Sequence, residues 1–328
     1  MSHRERRDHP LADWIRAHST VHRQGDRPNI FLFSTPRSGS TWAKELLNTQ
    51  PGMKYCNEPF NLRSRAIKDY LGTEDWAELY QEPINPRVVR YLDAIESGKA
   101  EVGFQNAFPF KENYRLVTQR IVYKVLHGLE DRIDWVKTHY GAKVILLLRH
   151  PIAVSLSREY CPRLEAFVQS PYRRHFSAEQ MQYAQHVIDQ GSQMDKLMLS
   201  WCLQNAVPLQ QAQPDWTVLT YEQLTLNPEP IVDLLCDVLN LEDPARVKAN
   251  LAKPSGSTHK SDAETQKALK AGAGNGDKRF LIEKWRKKVD PTEEARLMEM
   301  LEVFGIDAYQ AGSFLPHQRY WVGEQVPA

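Results

Sequence analysis

The chain has 328 residues, 41% of them hydrophobic and 25% charged, with a formal net charge of +1. That composition excludes wholesale disorder, and the near-neutral balance argues against a protein held to nucleic acid by bulk charge, so any anion site must be local. The length suits one large α/β domain, 1–328, and nothing in the composition marks a second.

The first 28 residues hold no apolar stretch of signal-peptide length, and no later run approaches a membrane span; the expected location is the cytoplasm. Residues 11–24, with Leu11, Trp14, Ile15 and His18 on one face, predict a short amphipathic helix that Pro28 ends. Predominantly apolar runs at 29–34, 120–126, 143–148 and 216–220 predict strands covered on both faces. A further short strand is expected at 53–55. Helical patterns at 40–49, 129–140, 151–159, 178–210 and 229–240 alternate with these strands. Such alternation implies parallel strands joined by right-handed crossovers, hence an α/β fold with a three-layer, doubly wound parallel sheet over a core at 29–240.

Two stretches lack a clear period. Residues 57–115 mix aromatic residues with prolines, and residues 252–278 carry Pro254, Gly256 and a Gly-rich run, which predicts a long mobile loop. Long loops in compact domains serve binding or closure, and acceptor recognition is expected in these two unless the second is an idle insertion. Residues 278–309 read as two helices broken at Asp290 and Pro291. Cys56, Cys161, Cys202 and Cys236 form no Cys-x-x-Cys pair and read as reduced thiols. The eleven histidines show no His-Glu-x-x-His spacing, so no metal is expected.

Directly after the first core strand comes Thr35-Pro36-Arg37-Ser38-Gly39-Ser40-Thr41-Trp42, followed by a helix. A strand, a tight loop with glycine, and a helix start bearing hydroxyls and unpaired amides make a phosphate cradle, with Arg37 adding a fork of donors. An ordinary turn and helix cap is the bland alternative for 38–41. The Walker pattern is absent, which disfavours nucleoside triphosphate hydrolysis. The strongest strand ends in Leu148-Arg149-His150-Pro151, with Ser157 eight residues beyond Arg149. A second cation-and-hydroxyl site therefore arises at a strand's carboxyl end, the edge where open α/β sheets bind ligands.

Together the two segments resemble the 5′-phosphosulfate loop and the 3′-phosphate motif of the sulfotransferases that use 3′-phosphoadenosine 5′-phosphosulfate (PAPS). Thr220-Tyr221-Glu222-Gln223-Leu224 is similar to that family's Tyr-Glu-Asp-Leu element, and the glutamate of Asn57-Glu58-Pro59 to one found in its carbohydrate branch. The resemblance implies a P-loop-like fold, PAPS as co-substrate without a metal, and an acceptor hydroxyl or amine on a small molecule, saccharide or glycolipid. It further implies a cofactor cradle of Arg37, Ser38, Gly39, Ser40, Thr41, Trp42, Arg149, Ser157 and Tyr221. Arg37 would meet the departing 5′-phosphate; a plain salt bridge on the loop is its alternative.

An acceptor hydroxyl needs a general base. Glu58 is the first candidate, unless it is merely solvated. His127 is its rival, unless it only closes a strand end. Lys124 reads as a sulfuryl or phosphate contact, and Tyr221 as a nucleotide contact or a core tyrosine. Ser255, Ser257, His259 and Lys260, with Lys278 and Arg279, are weaker candidates for the 3′-phosphate. A small-molecule kinase or a non-catalytic nucleotide-binding protein on the same sheet are the competing functions. No nucleic-acid or membrane partner is expected, and a homo-oligomer stays open.

Overall fold

The computed structural model describes residues 15, 18–100, 114–251, 253 and 278–322. Its strands are β1 (Val21–His22), β2 (Ile30–Ser34), β3 (Met53–Asn57), β4 (Val117–Thr118), β5 (Arg120–Val125), β6 (Lys143–Leu148) and β7 (Thr217–Thr220). Five of them form a parallel sheet in the order β3-β5-β2-β6-β7.

The side-chain alternation of β2 explains its central place. Phe31 and Phe33 enter the core on one face of the sheet, while Ile30 and Leu32 enter the core on the other. A strand apolar on both sides must be covered on both sides. Helices α1 (Ser40–Leu47), α2 (Arg65–Leu71), α3 (Pro86–Glu96) and α4 (Ile133–Tyr140) precede α5 (Pro151–Ser155), α6 (Leu164–Gln169), α7 (Ala178–Gln190) and α8 (Gln193–Gln211). The remainder are α9 (Tyr221–Leu226), α10 (Pro228–Leu239), α11 (Pro244–Asn250), α12 (Arg279–Glu283) and α13 (Pro291–Val303). Leu46 and Leu47 of α1 and Ile231 and Leu235 of α10 seal one face. Leu92 of α3, Ile133 of α4, Met198 of α8 and Leu301 of α13 seal the other. Three layers result, as the strand pattern predicts.

The chain leaves β2 for the far strand β3, returns to β5, and then crosses β2 to reach β6. The crossover directions thus diverge around β2, and its carboxyl end opens a crevice between the loops of β5 and β6.

Several local expectations need correction. The helix predicted over 11–24 does not reach its end, because Val21–His22 is extended and pairs in parallel with Val117–Thr118; Leu11 and Trp14 lie outside the described residues. The single helix predicted over 178–210 is two, since the hydroxyl of Ser192 caps Asp195 in a capping box. Over 57–100 the stretch is not an aperiodic loop. It carries α2, α3 and a 3-10 turn at Trp76–Tyr80, and it buries Phe60, Tyr80 and Tyr91 in the core. Tyr80 donates to Glu130 at 2.8 Å, and Arg163 closes that buried network from the other side. At 279–303 the break falls where expected, with Asp290 accepting from the amides of Thr292 and Glu293. Phe104, Phe108, Phe110 and most of 252–278, including Ser255, Ser257, His259 and Lys260, lie outside the described residues. Among the described residues no helix is long and apolar enough to cross a membrane.

Candidate active site

The loop after β2 turns on two residues with positive φ, Arg37 at 76° and Gly39 at 88°. Glycine is required at the second position, because a Cβ there would lie 2.4 Å from the ring of Tyr221. Gly39 is the N-cap of α1 and supplies no side-chain cap, so the first amides of the helix remain open donors. Ser38 departs from expectation. It is fully buried, its amide bonds to the carbonyl of Thr35 at 3.3 Å, and its hydroxyl pairs with that of Thr35 at 2.5 Å. These bonds close the loop on itself. Ser40 is likewise buried, while Thr41 and Trp42 are half-exposed; the indole nitrogen of Trp42 has no partner.

On the β6–β7 side, Arg149 donates to the carbonyl of Arg37 at 2.9 Å and lies over the Tyr221 ring, 4.2 Å from its centroid. Its own carbonyl is held by the indole of Trp201 at 3.1 Å. The carboxylate of Glu222, 1% exposed, accepts from the amide of His150 at 2.9 Å and from the hydroxyl of Tyr309 at 2.9 Å. This buried brace fixes the strand end from which Arg149 projects. Burial also pushes the Glu222 carboxyl up.

Neither Arg37 nor Arg149 has a carboxylate partner among the described residues, and the Nε of each is buried and unbonded. Burial and the neighbouring Arg149 both lower the Arg37 pKa. Two uncompensated guanidinium groups beside an uncapped helix start suit a ligand with two separate anionic groups. A 3′,5′-substituted nucleotide has that charge pattern, so the residues present fit the nucleotide that the resemblance implies. Ser157 is exposed and donates to the carbonyl of Ala153 at 2.8 Å; no bond joins it to Arg149.

On the β3–β5 side, the register sets Asn57 beside Lys124. The Lys124 ammonium, 6% exposed, reaches Glu58 Oε1 at 3.1 Å, Asn57 Oδ1 at 3.2 Å and Thr41 Oγ1 at 3.3 Å. One buried cation therefore links the anion loop to the carboxylate at the end of β3. Glu58 Oε2 accepts from Asn61 Nδ2 at 2.8 Å. Glu58 also has positive φ, 56°, so both Arg37 and Glu58 sit in the left-handed backbone region. For a residue with a Cβ this costs on the order of 1–2 kcal/mol, and such strain concentrates at functional sites.

His127 is 2% exposed and packs edge-on to Trp76, ring centroids 5.2 Å apart. Its Nε2 lies 3.3 Å from Arg63 Nη2, which can only donate, and its Nδ1 is buried without a partner. Burial holds its pKa well below the usual value, and Arg163, Arg63, Arg158 and Lys124 add to the effect.

Sequence reasoning names Arg37, Gly39, Thr41, Glu58, Lys124, Arg149 and Tyr221, and the fold brings them to one edge. It misses Asn57, Asn61, Arg63 and Glu222. The Glu after Tyr221 and the polar run at 57–63 were the signals available. Among the described residues no group of three or more His, Cys, Asp or Glu is placed to hold a metal.

A model of the sulfotransferase family matches residues 28–245 of the chain. No curated protein matches it. Among solved structures, the sulfotransferase domain of the Synechococcus PCC 7002 olefin synthase aligns at 18% identity and a TM-score of 0.44, covering 87% of this chain and 97% of that one. Mouse sulfotransferase SULT7A1 complexed with PAP aligns at 11% and 0.40, covering 86% of each. A sulfotransferase from Alicyclobacillus acidocaldarius aligns at 13% and 0.34, covering 80% of this chain and 96% of that one.

Proposed function

The chain belongs to the sulfotransferase family, whose members use PAPS as co-substrate, and from that premise we propose how its own residues divide the work. Arg37 and the open amides of α1 receive the 5′-phosphosulfate, Arg149 with Ser157 receives the 3′-phosphate, and Tyr221 lines the nucleotide side. Glu58 takes the proton from an acceptor hydroxyl, or amine, of a small molecule, saccharide or glycolipid. The acceptor oxygen bonds to sulfur, the bond from sulfur to the bridging oxygen breaks, and the negative charge released on the 5′-phosphate falls to Arg37 and Lys124.

The observation that carries this reading is Lys124, bonded at once to Thr41 of the anion loop and to Glu58. Sulfuryl transfer, like phosphoryl transfer, is chiefly a matter of aligning two groups and stabilising moving charge. A cation shared by the donor loop and the base suits that task. Glu58 is preferred to His127 as base because a proton added to His127 would enter a buried site already facing four cations.

Two results are expected. 3′-Phosphoadenosine 5′-phosphate (PAP) raises the melting temperature, as any ligand selective for the folded state must, and adenosine 5′-phosphate does so far less. Equal shifts would remove the 3′-phosphate role of Arg149 and Ser157. Turnover with PAPS also persists in excess chelator, since Arg37 and Lys124 supply the charge; loss on chelation and recovery with magnesium would favour a kinase-like reaction.

A further inference from the structure

The crevice contains a second group of cations, on the side away from the nucleotide. Arg63 follows Glu58 on a tight turn, and Asn61 joins the two. Its amide nitrogen donates to Glu58, and its oxygen accepts from Arg63 N and Nε, both at 3.2 Å. The Arg63 guanidinium then reaches the hydroxyl of Tyr160 and the ring of His127. Arg158 lies beside them with Nη1 buried and unbonded, and among the described residues its guanidinium makes only a 3.5 Å contact from Nη2 to the hydroxyl of Ser200.

The charge here is unbalanced. The neighbouring Arg163 is neutralised by Glu130 at 2.5 Å, and Glu58 is already shared by Lys124 and Asn61. Neither Arg63 nor Arg158 has a carboxylate partner among the described residues. Burial, with Arg163 and Arg63 nearby, pushes Arg158 down to about 10. Arg63 is exposed and Arg158 part-buried with its Nη1 fully enclosed; a guanidinium desolvated there without a counter-charge is costly unless a ligand brings the missing charge.

Resting on the reading that Glu58 faces the acceptor, we propose that the acceptor carries an anionic group, a carboxylate or phosphate, bound by Arg63 and Arg158 beside His127. Paired guanidinium forks match the oxygens of either group. The nucleotide is a poor rival for the position. Arg149 and Tyr221 come from the ends of β6 and β7, Arg63 and His127 follow β3 and β5, and β2 with its loop lies between the two sets; Arg158 comes from the β6 side, one residue beyond Ser157, and its charge falls on Arg63 and Arg163. Neutral His127 adds a ring nitrogen donor, Nδ1–H, once Nε2 accepts from Arg63. The acceptor's hydroxyl is thereby oriented towards Glu58 by its own charge.

The test uses the full chain saturated with PAP, titrated calorimetrically with matched probes: glucose 6-phosphate against glucose, and 4-hydroxybutyrate against 4-hydroxybutyramide. The charged member of at least one pair is expected to bind tighter by about tenfold or more, the scale of a charge-assisted hydrogen bond; which pair responds separates phosphate from carboxylate. Arg63→Gln and Arg158→Gln should each abolish that preference while PAP affinity stays within about twofold. Arg158→Gln should melt no lower than the parent, because it removes a part-buried charge with no carboxylate partner among the described residues. Absence of any charge preference, or a preference untouched by both variants, overturns the proposal. So does a loss of PAP affinity in Arg63→Gln, which would assign the cluster to the nucleotide. If PAP itself fails to bind the parent, the sulfotransferase reading of the site falls first, and this proposal with it.

Discussion

Glu58→Gln is expected to lower turnover by roughly 10² to 10⁴, the usual worth of a general base, while PAP affinity stays nearly constant. The variant keeps the shape of the side chain and an oxygen that can still accept from Lys124, which in the parent lies 3.1 Å from Glu58 Oε1. It removes the proton acceptor and half of a buried ion pair. The second change has its own cost, because among the described residues Lys124 keeps only the neutral oxygens of Asn57, Thr41 and the new amide. A stability loss of about 1–3 kcal/mol is the expected scale for a weakened buried polar contact. Turnover must therefore be measured below the variant's melting transition. His127→Asn is the control and should reduce turnover much less. Should it abolish turnover with PAP binding intact, while Glu58→Gln remains active, the base is His127.

Arg37→Ala should behave differently, weakening both PAP binding and turnover. Its guanidinium has no carboxylate partner among the described residues, so its removal breaks no ion pair there. It also relieves the repulsion with Arg149 that helps to lower the Arg37 pKa. Stability should be unchanged or slightly raised. Loss of charge-assisted bonds to the 5′-phosphate is expected to cost PAP roughly 10- to 100-fold in affinity. Turnover should fall further, by about 10² to 10³, because the charge on the departing phosphate grows in the transition state. Arg37→Lys restores charge without the fork and should recover part of each. A melting temperature that drops while PAP affinity is preserved would make Arg37 a structural residue of the loop.

The two variants read different halves of the crevice, and the fold explains why. Arg37 belongs to the loop of the central strand and Glu58 to the end of a strand two places away, with β5 and Lys124 between them. A change at one end can alter chemistry without altering nucleotide binding, provided Lys124 keeps its place.

Much of this was legible in the chain itself. Runs such as 30–33 and 144–148, apolar at every position, read as strands buried on both faces, and the helices between them force parallel pairing. The anion loop could be read because a glycine, hydroxyl residues and an arginine between a strand and a helix have a local geometric meaning. Arg149 could be read because a cation leaving an apolar strand must emerge at the sheet's edge. Helix breaks were less legible: the pattern over 178–210 continued through Gly191 and Ser192, and only the capping box at Ser192 divides it.

The rest depended on contacts between residues far apart in sequence, which periodicity does not encode. The strand order decides that β3 lies beside β5, and only that neighbourhood brings Asn57 and Glu58 to Lys124. The packing of Tyr221 against the loop decides why position 39 must lack a Cβ. The turning of Ser38 onto Thr35 removes a hydroxyl that the motif offered. The character of His127 depended on tertiary structure above all. As a residue in a sequence it is a plausible base, but the fold buries it among Arg63, Arg158, Arg163 and Lys124, and a proton there would be repelled from every side.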